Sequence, residues 1–412
     1  MHKKLLIVAH NWPAPNYSAA GVRLMQLIDF FKKEGYQITI ASTADKSLMF
    51  TSGFKEIELV STRLNDSNFD VFVKKLNPIV VLFDRFMSEE QFGWRVAEHV
   101  PSAIRILDTE DLHSLRKSRQ EALKKNISWS RAYWKQYDMT KREIASILRC
   151  DLSLIISSFE MELLETIVPN HYELLLHLPF MVDKISNDKA LEWPSFEKRR
   201  DFVFIGFGGH APNLDAIAYL KKVIWPLIRK ELPKAKLLVY GGNLPKKIYG
   251  LHSEKDEFLI KGWAEDAHEV IADARVMLAP LRFGAGQKGK LLDAMLCGTP
   301  SITTVIGAEG MHENLPWNGE ICDDQKAFAK AAVESYQDKK SWSNYQHNGL
   351  TIINEIFKKE GLEKSLRSKL DLLHENLAVH RNSNFMGSLL IHQTMASTKY
   401  MSKWIEEKKK AK

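Results

Sequence analysis

Between Ala279 and Pro300 the chain reads Ala-Pro-Leu-Arg-Phe-Gly-Ala-Gly-Gln-Lys-Gly-Lys-Leu-Leu-Asp-Ala-Met-Leu-Cys-Gly-Thr-Pro, a run dense in glycine and lysine. An apolar stretch over 274–279 leads into it and reads as a buried strand, and the residues after it suit a helix. A glycine-rich strand-to-helix turn lets backbone N–H groups close on an anion, and the helix N-terminus adds a favourable dipole. Gly284 and Gly286 permit that approach, and Lys288 and Lys290 strengthen the field. Asp293, further along, can accept hydrogen bonds from sugar or ribose hydroxyls. Diphosphate on the turn and hydroxyls on the carboxylate is the chemistry of a nucleotide-sugar pocket. Arg282, at the strand exit, has two readings: a phosphate partner or a surface ion pair.

Other loops carry candidates of the same kind. Gly206-Phe-Gly-Gly-His-Ala-Pro-Asn213 follows a strand at 201–207, where Gly206 allows close approach of a phosphate or sugar. His210 is a candidate donor contact there, and Asn213 reads as a helix cap. Glu309, in Gly307-Ala-Glu-Gly310, lies on a loop after a strand at 301–304 and either reaches the donor or is solvated. Asp108-Thr-Glu-Asp-Leu-His113 leaves another strand. The His113 imidazole, able to donate or accept, suits a hydroxyl or else caps local structure. The loop from Pro13 to Arg23, with Gly21, follows the first strand, and Arg23 either reaches an anion or lies on the surface.

These loops need a scaffold that gathers strand ends. Runs at 4–9, 37–42, 79–83, 103–107 and 152–157 are rich in Ile, Val and Leu, and helix-like segments separate them. The segment 21–33 is one, with Val22, Leu24, Leu27, Ile28 and Phe31 on its apolar face. A charged stretch over 184–200 with Pro194 reads as a linker. Strands at 201–207, 236–240, 257–261, 276–280 and 301–304 then alternate with helices at 213–230, 267–273 and 288–296. The pattern predicts an α/β protein of two Rossmann-like doubly wound domains facing across a cleft. The first domain takes residues 1–185, the second 200–375, and a helical segment with a basic tail 376–412.

Composition bounds the rest. A 412-residue chain with 45% hydrophobic residues is long enough for two cores. Three cysteines at unrelated spacings argue against a disulfide framework or zinc site, and a cytoplasmic setting is expected. No apolar run reaches membrane-spanning length. The charge of +7 and pI near 9.0 suit phosphate-bearing ligands or an anionic surface. Residues 114–142 interleave nine basic residues with Trp129, Tyr133, Trp134 and Tyr137. That composition reads as a peripheral contact with an anionic membrane, a polyanionic acceptor site or a solvated helix. No nucleic-acid motif accompanies it.

The segment around Asp293 resembles the donor-site signature of the retaining family 4 glycosyltransferases of the GT-B fold. Asp293-Ala-Met-Leu-Cys-Gly-Thr-Pro300 matches the second half of that signature with Asp for Glu, and the first Glu falls on Ala285. Pro212-Asn-Leu-Asp-Ala216 and Gly307-Ala-Glu-Gly310 match further family positions. The resemblance implies sugar transfer from a nucleotide-diphosphate donor to an acceptor hydroxyl, with retention, in glycan or polysaccharide biosynthesis. It implies an acceptor-side role for the first domain and nucleotide-sugar binding for the second. It implies no cofactor beyond that donor substrate, no obligatory metal, and a glycan, lipid-linked or protein acceptor. In such an enzyme Lys288 steadies the departing diphosphate, Asp293 anchors the ribose, and Glu309 and His113 position the sugar. A nucleotide-sugar 2-epimerase and a catalytically silent homologue share the fold. The last helix of GT-B enzymes commonly returns to the first domain.

Overall fold

The computed structural model describes residues 3–13, 19–45, 56–169 and 171–411. Part of the Pro13–Arg23 loop and the final lysine lie outside them. The first sheet is built from β1 (Lys3–Ala9), β2 (Tyr36–Ser42), β3 (Glu58–Ser61), β4 (Val80–Asp84), β5 (Ile104–Asp108), β6 (Leu152–Ile155) and β7 (Leu175–His177). Its order is β3-β2-β1-β4-β5-β6-β7, and every pairing is parallel. The second sheet is built from β8 (Arg200–Ile205), β9 (Leu237–Tyr240), β10 (Phe258–Gly262), β11 (Ala274–Ala279), β12 (Ser301–Thr303) and β13 (Gly319–Ile321). Its order is β10-β9-β8-β11-β12-β13, again parallel. In each sheet the order reverses beside the domain's first strand, between β1 and β4 and between β8 and β11. Ligands of doubly wound sheets bind outside the strand C-termini at such points.

Parallel strands buried on both faces need largely apolar sequence. β1 and β4 supply it with Leu5–Ala9 and Val80–Phe83, and β5 and β6 bury Arg105 and Ser153 among their apolar residues. The helix Ala19–Lys33 covers β1 through Leu24, Leu27, Ile28, Phe30 and Phe31. Val22 lies off that face, 40% exposed, since at about 100° per residue it falls roughly opposite Leu24, Leu27 and Phe31. The segment expected as one helix over 213–230 starts at Ala211, passes through a π-helical turn at Leu220–Ile224 and resumes over Trp225–Glu231. Pro226 cannot donate a backbone hydrogen bond, which accounts for the irregular ladder.

The chain returns to its first domain earlier than residue 376. The helix Lys359–Ser383 sends Leu366, Leu370 and Leu373 into the cluster that holds Leu5, Ile7 and Leu24. Polar contacts accompany them: Arg367 on Glu34, Tyr36 on His374, and Arg381 on Asp151. The C-terminal helix Phe385–Lys410 then packs on the helices Phe86–His99 and Asp138–Arg149.

If these leucines complete the first core, Leu366→Ala should cost about 2–5 kcal/mol. Leu372→Ala, at a position 58% exposed on the same helix, should stay within about 0.5 kcal/mol. Denaturant unfolding of the two variants checks this, and equal midpoints would contradict it.

Candidate active site

The loop from Pro280 to Lys288 leaves β11 at the switch point of the second sheet and enters the helix Gly289–Leu296. Both domains grip it. The Arg119 guanidinium donates from Nη1 to the Gly284 carbonyl at 3.0 Å. The Glu160 Oε1 accepts the Gly286 N–H at 2.8 Å and the Leu112 N–H at 2.9 Å. Gly286 has φ +62°, and a Cβ there would sit 2.8 Å from the Asp111 Cβ, so only glycine fits. Gly289 is equally constrained, since a Cβ would fall 2.7 Å from that of Ala19 on the first helix of the other domain. Gln287 ties the loop to Gly310 and to the Phe180 N–H.

Lys288 is buried, with Nζ 2.6 Å from the Gly286 carbonyl. Burial, partly countered by Glu309, brings its ammonium down to about 8. Lys290 bonds the Asn213 side-chain oxygen and lies over the Phe204 ring at 4.7 Å, and burial brings it down to about 7. Glu309 meets Arg119 in a two-bonded ion pair of 2.7 and 2.8 Å that crosses between the domains. Trp129 and Phe159 flank that guanidinium at 4.8 and 5.1 Å. The Glu309 carboxylate is therefore already engaged by protein.

On the first-domain side Asp111 is the hub. Arg116 binds its carboxylate at 2.7 and 3.2 Å, and His113 Nδ1 stands 3.2 Å from its Oδ1. Burial works to raise the Asp111 pKa, but Arg116 and His113 outweigh it and hold the carboxyl below its ordinary value. Burial pushes His113 down to about 4, so the ring is neutral at pH 7. With both acceptors of Asp111 at Nδ1, the proton resides there and Nε2 is left as an acceptor. His210, across the cleft, is pushed down to about 3 by burial and by Arg116. Glu143 receives the His113 and Ser114 N–H groups, and burial raises it to about 7.

The structure thus gathers Gly284, Gly286, Lys288 and Glu309 in one place, with His113, His210 and Lys290 adjoining. Gly206 sits beside Lys290's partner Asn213: a Cβ there would fall 2.7 Å from that side chain. Gly21 is buried in the first helix. Two residues stand apart. Arg282 is half-exposed and paired with Asp215. Asp293 lies on the rim, 37% exposed, with His268 Nε2 at 3.3 Å. Asn213 is no helix cap. That place falls to His210, because Pro212 already occupies the first turn. Arg23 is buried on Asp108 at 2.8 Å. Sequence reasoning missed Arg119, Glu160 and Glu143 as site residues.

Arg119 belongs to the basic run over 114–142, and most of that run is spoken for. Six of its nine cations, Arg116, Arg119, Lys125, Arg131, Lys141 and Arg142, pair with carboxylates of the protein. Trp134 and Trp129 turn inward and donate to Ser114 and Ser118.

Burial raises Glu160 to about 8, and its Oε2 has no hydrogen-bond partner among the described residues. A carboxyl raised on folding gives stability that is complete below its unfolded pKa of about 4 and lost as pH climbs through the folded value. Glu160→Gln keeps the acceptor oxygen and has no charge to bury. Its melting temperature should match the parent's at pH 5 and exceed it at pH 9, and parallel pH profiles would refute the buried acid.

Residues 199–338 match the family described as Glycosyl transferases group 1. An uncharacterized 44.6 kDa protein from the cps region of Klebsiella pneumoniae is 25% identical over 162 residues, a match spanning 38% of this chain and 42% of that protein. Sucrose-phosphate synthase from Thermosynechococcus elongatus superposes with a TM-score of 0.68 at 16% identity, covering 90% of this chain and 99% of its own. HepE from Anabaena, solved with UDP and glucose, gives 0.65 at 12%, covering 90% and 100%. A mutant of S. aureus TarM, solved with Fondaparinux, alpha-GlcNAc-glycerol and UDP, gives 0.56 at 14%, covering 73% and 57%. These likenesses establish the two-domain GT-B fold. Within that fold, residues 199–338 of the second domain are the part that matches the group 1 glycosyl transferases.

Proposed function

We propose that the protein moves a sugar from a nucleotide-diphosphate donor to an acceptor hydroxyl, with retention and without an obligatory metal, in glycan or polysaccharide biosynthesis. The observation that carries this reading is the glycine loop of β11, held between the domains with Lys288 and Lys290 at its helix entry. Charge aimed at a departing group is often the largest catalytic contribution. Lys288, Lys290 and the N-terminal amides of the helix Gly289–Leu296 supply it to the leaving diphosphate. The departing phosphate then takes the acceptor proton on the same face. A neutral His113 accepts a hydrogen bond from a donor hydroxyl at Nε2. Asp293 receives ribose hydroxyls at the rim. The acceptor is a glycan, a lipid-linked sugar or a protein, bound on the first domain.

HepE and TarM were solved with UDP, which puts uridine donors first for testing. Incubation with UDP-glucose, UDP-GlcNAc and their guanosine counterparts should release nucleoside diphosphate only when an acceptor is added, equally with and without EDTA. Binding with no release under any acceptor would assign a silent homologue, a reading that Ala285 in place of the family's first Glu keeps alive. A sugar nucleotide epimerised at C2 would assign the epimerase.

The two lysines also set a pH dependence. A diphosphate prefers the ammonium form, which Lys288 loses above about 8 and Lys290 above about 7. Calorimetric affinity for UDP should fall from pH 7 to pH 9. Lys288→Ala should weaken it about tenfold at pH 7, in line with roughly 1.5–3 kcal/mol for a charged hydrogen bond, and flatten the pH slope. An unchanged dissociation constant in the folded variant would remove Lys288 from the site.

A further inference from the structure

The C-terminal helix Phe385–Lys410 has two faces. Gly387, Met395 and Ser402 bury one of them against the first domain, where Arg95 donates to the Ser402 hydroxyl. The other carries Phe385, Met386, Leu389, Tyr400, Met401 and Trp404, each between 42% and 71% exposed. At about 100° per residue these six fall within an arc of roughly 160°. They form one cluster over 385–389 and another over 400–404 on the same side of the helix, with Gln393 and Ser397 between them. Single exposed apolar residues are ordinary on a monomer, but two clusters of large ones on one side of a helix mark an interaction surface.

The residues beside this face identify what covers it. Lys403 and Lys408 fall at its two edges, both exposed, and Lys408 Nζ lies 5.0 Å from the Trp404 ring centre. Glu407, on the same side, is neutralised by Lys410 at 2.8 Å. Tyr and Trp pair an apolar body with a polar tip, and lysine can bury its stem while its head stays hydrated. An apolar face bearing such aromatics and edged by lysine is the make-up of a helix lying in a bilayer interface. Protein interfaces, by contrast, are depleted in lysine. We propose that this face of the C-terminal helix seats the protein on an anionic membrane surface. On this assignment the basic run over 114–142 is not the contact: six of its nine cations pair with carboxylates, and Trp129 and Trp134 turn inward. The assignment is independent of the transfer chemistry.

Sedimentation of the full-length protein with vesicles tests it, using phosphatidylcholine alone or mixed with phosphatidylglycerol. The parent should bind the mixed vesicles at low salt, leave them as salt rises, and ignore phosphatidylcholine. Changing Phe385, Tyr400 and Trp404 together to Ser should cut binding by about tenfold or more with no change in melting temperature. Lys403→Glu with Lys408→Glu should abolish the preference for phosphatidylglycerol. Charge reversal at Lys124, Lys125 and Arg131 should leave binding as in the parent. A parent that stays in the supernatant with both vesicle types overturns the proposal, as does a triple variant that binds like the parent. Loss of binding on reversal at 124, 125 and 131 overturns it too. A parent dimer by light scattering that the triple variant dissolves would give the face to a second copy instead.

Discussion

The ion pair between Arg119 and Glu309 is the contact on which the cleft geometry depends. Its side chains are 6% and 10% exposed, so both charges have left most of their water. Removing a charge from water costs several kcal/mol per ion, and only good geometry with further hydrogen bonds repays it. Here the repayment is visible. Two short bonds run between guanidinium and carboxylate, a third goes to the Gly284 carbonyl, and two aromatic rings flank the plane. Such a pair is worth having only when complete, because either partner left alone would be a bare buried charge. The first domain therefore fixes the β11 loop through the most conditional of interactions. Any separation of the domains must let water reach both groups at once.

That same burial shapes the electrostatics of the loop. Lys288 and Lys290 sit where an ammonium is disfavoured, and Glu160 where a carboxylate is. The three are poised near neutrality rather than locked in their usual charge states. A dianion arriving at the helix entry shifts the lysines towards the ammonium form, and each unit of pKa recovered is about 1.4 kcal/mol. The site thus keeps its positive charge in reserve for a ligand that demands it. Burial keeps His113 in its neutral form, and the charge of Arg116, pinned on Asp111, adds to it against the pull of Asp111.

The architecture was largely legible because βαβ alternation is a local pattern. Strands β3, β7 and β13 escaped notice for a physical reason. They are three or four residues long and lie at or next to sheet edges, where pairing with a neighbour rather than an apolar run defines them. The glycine–lysine turn was legible for the same reason as the helices: its chemistry is contained in one stretch of chain. Its partners were not. Arg119 lies 165 positions from Gly284, and Glu160 lies 126 from Gly286. Nothing in Leu-His-Ser-Leu-Arg-Lys-Ser-Arg separates the arginine that crosses the cleft from its neighbours. Arg282 and Asp293 likewise have partners within the protein, Asp215 and His268, that no local pattern indicates.

The manner in which the chain crosses between domains explains why so few loop contacts matter so much. It passes from the first domain to the second near Val182 and returns near Lys358. The two crossings bond to each other: Val182 N–H to the Phe357 carbonyl at 2.8 Å, and Lys359 N–H to the Val182 carbonyl at 2.9 Å. Two covalent connections that run side by side behave as one narrow joint. They restrain separation of the domains at that point but resist rotation about it weakly, since a joint has little leverage across a wide cleft. Orientation then falls to contacts elsewhere, and Arg119 with Glu309, Glu160 with Gly286, and Ala19 against Gly289 are there to supply it. The last two act on the glycine–lysine turn or the first residue of its helix, and Arg119 reaches the same turn through the Gly284 carbonyl. The segment that sets the relative placement of the domains is therefore the same segment whose amides and lysines face the cleft, so domain placement and ligand chemistry are coupled through a single loop.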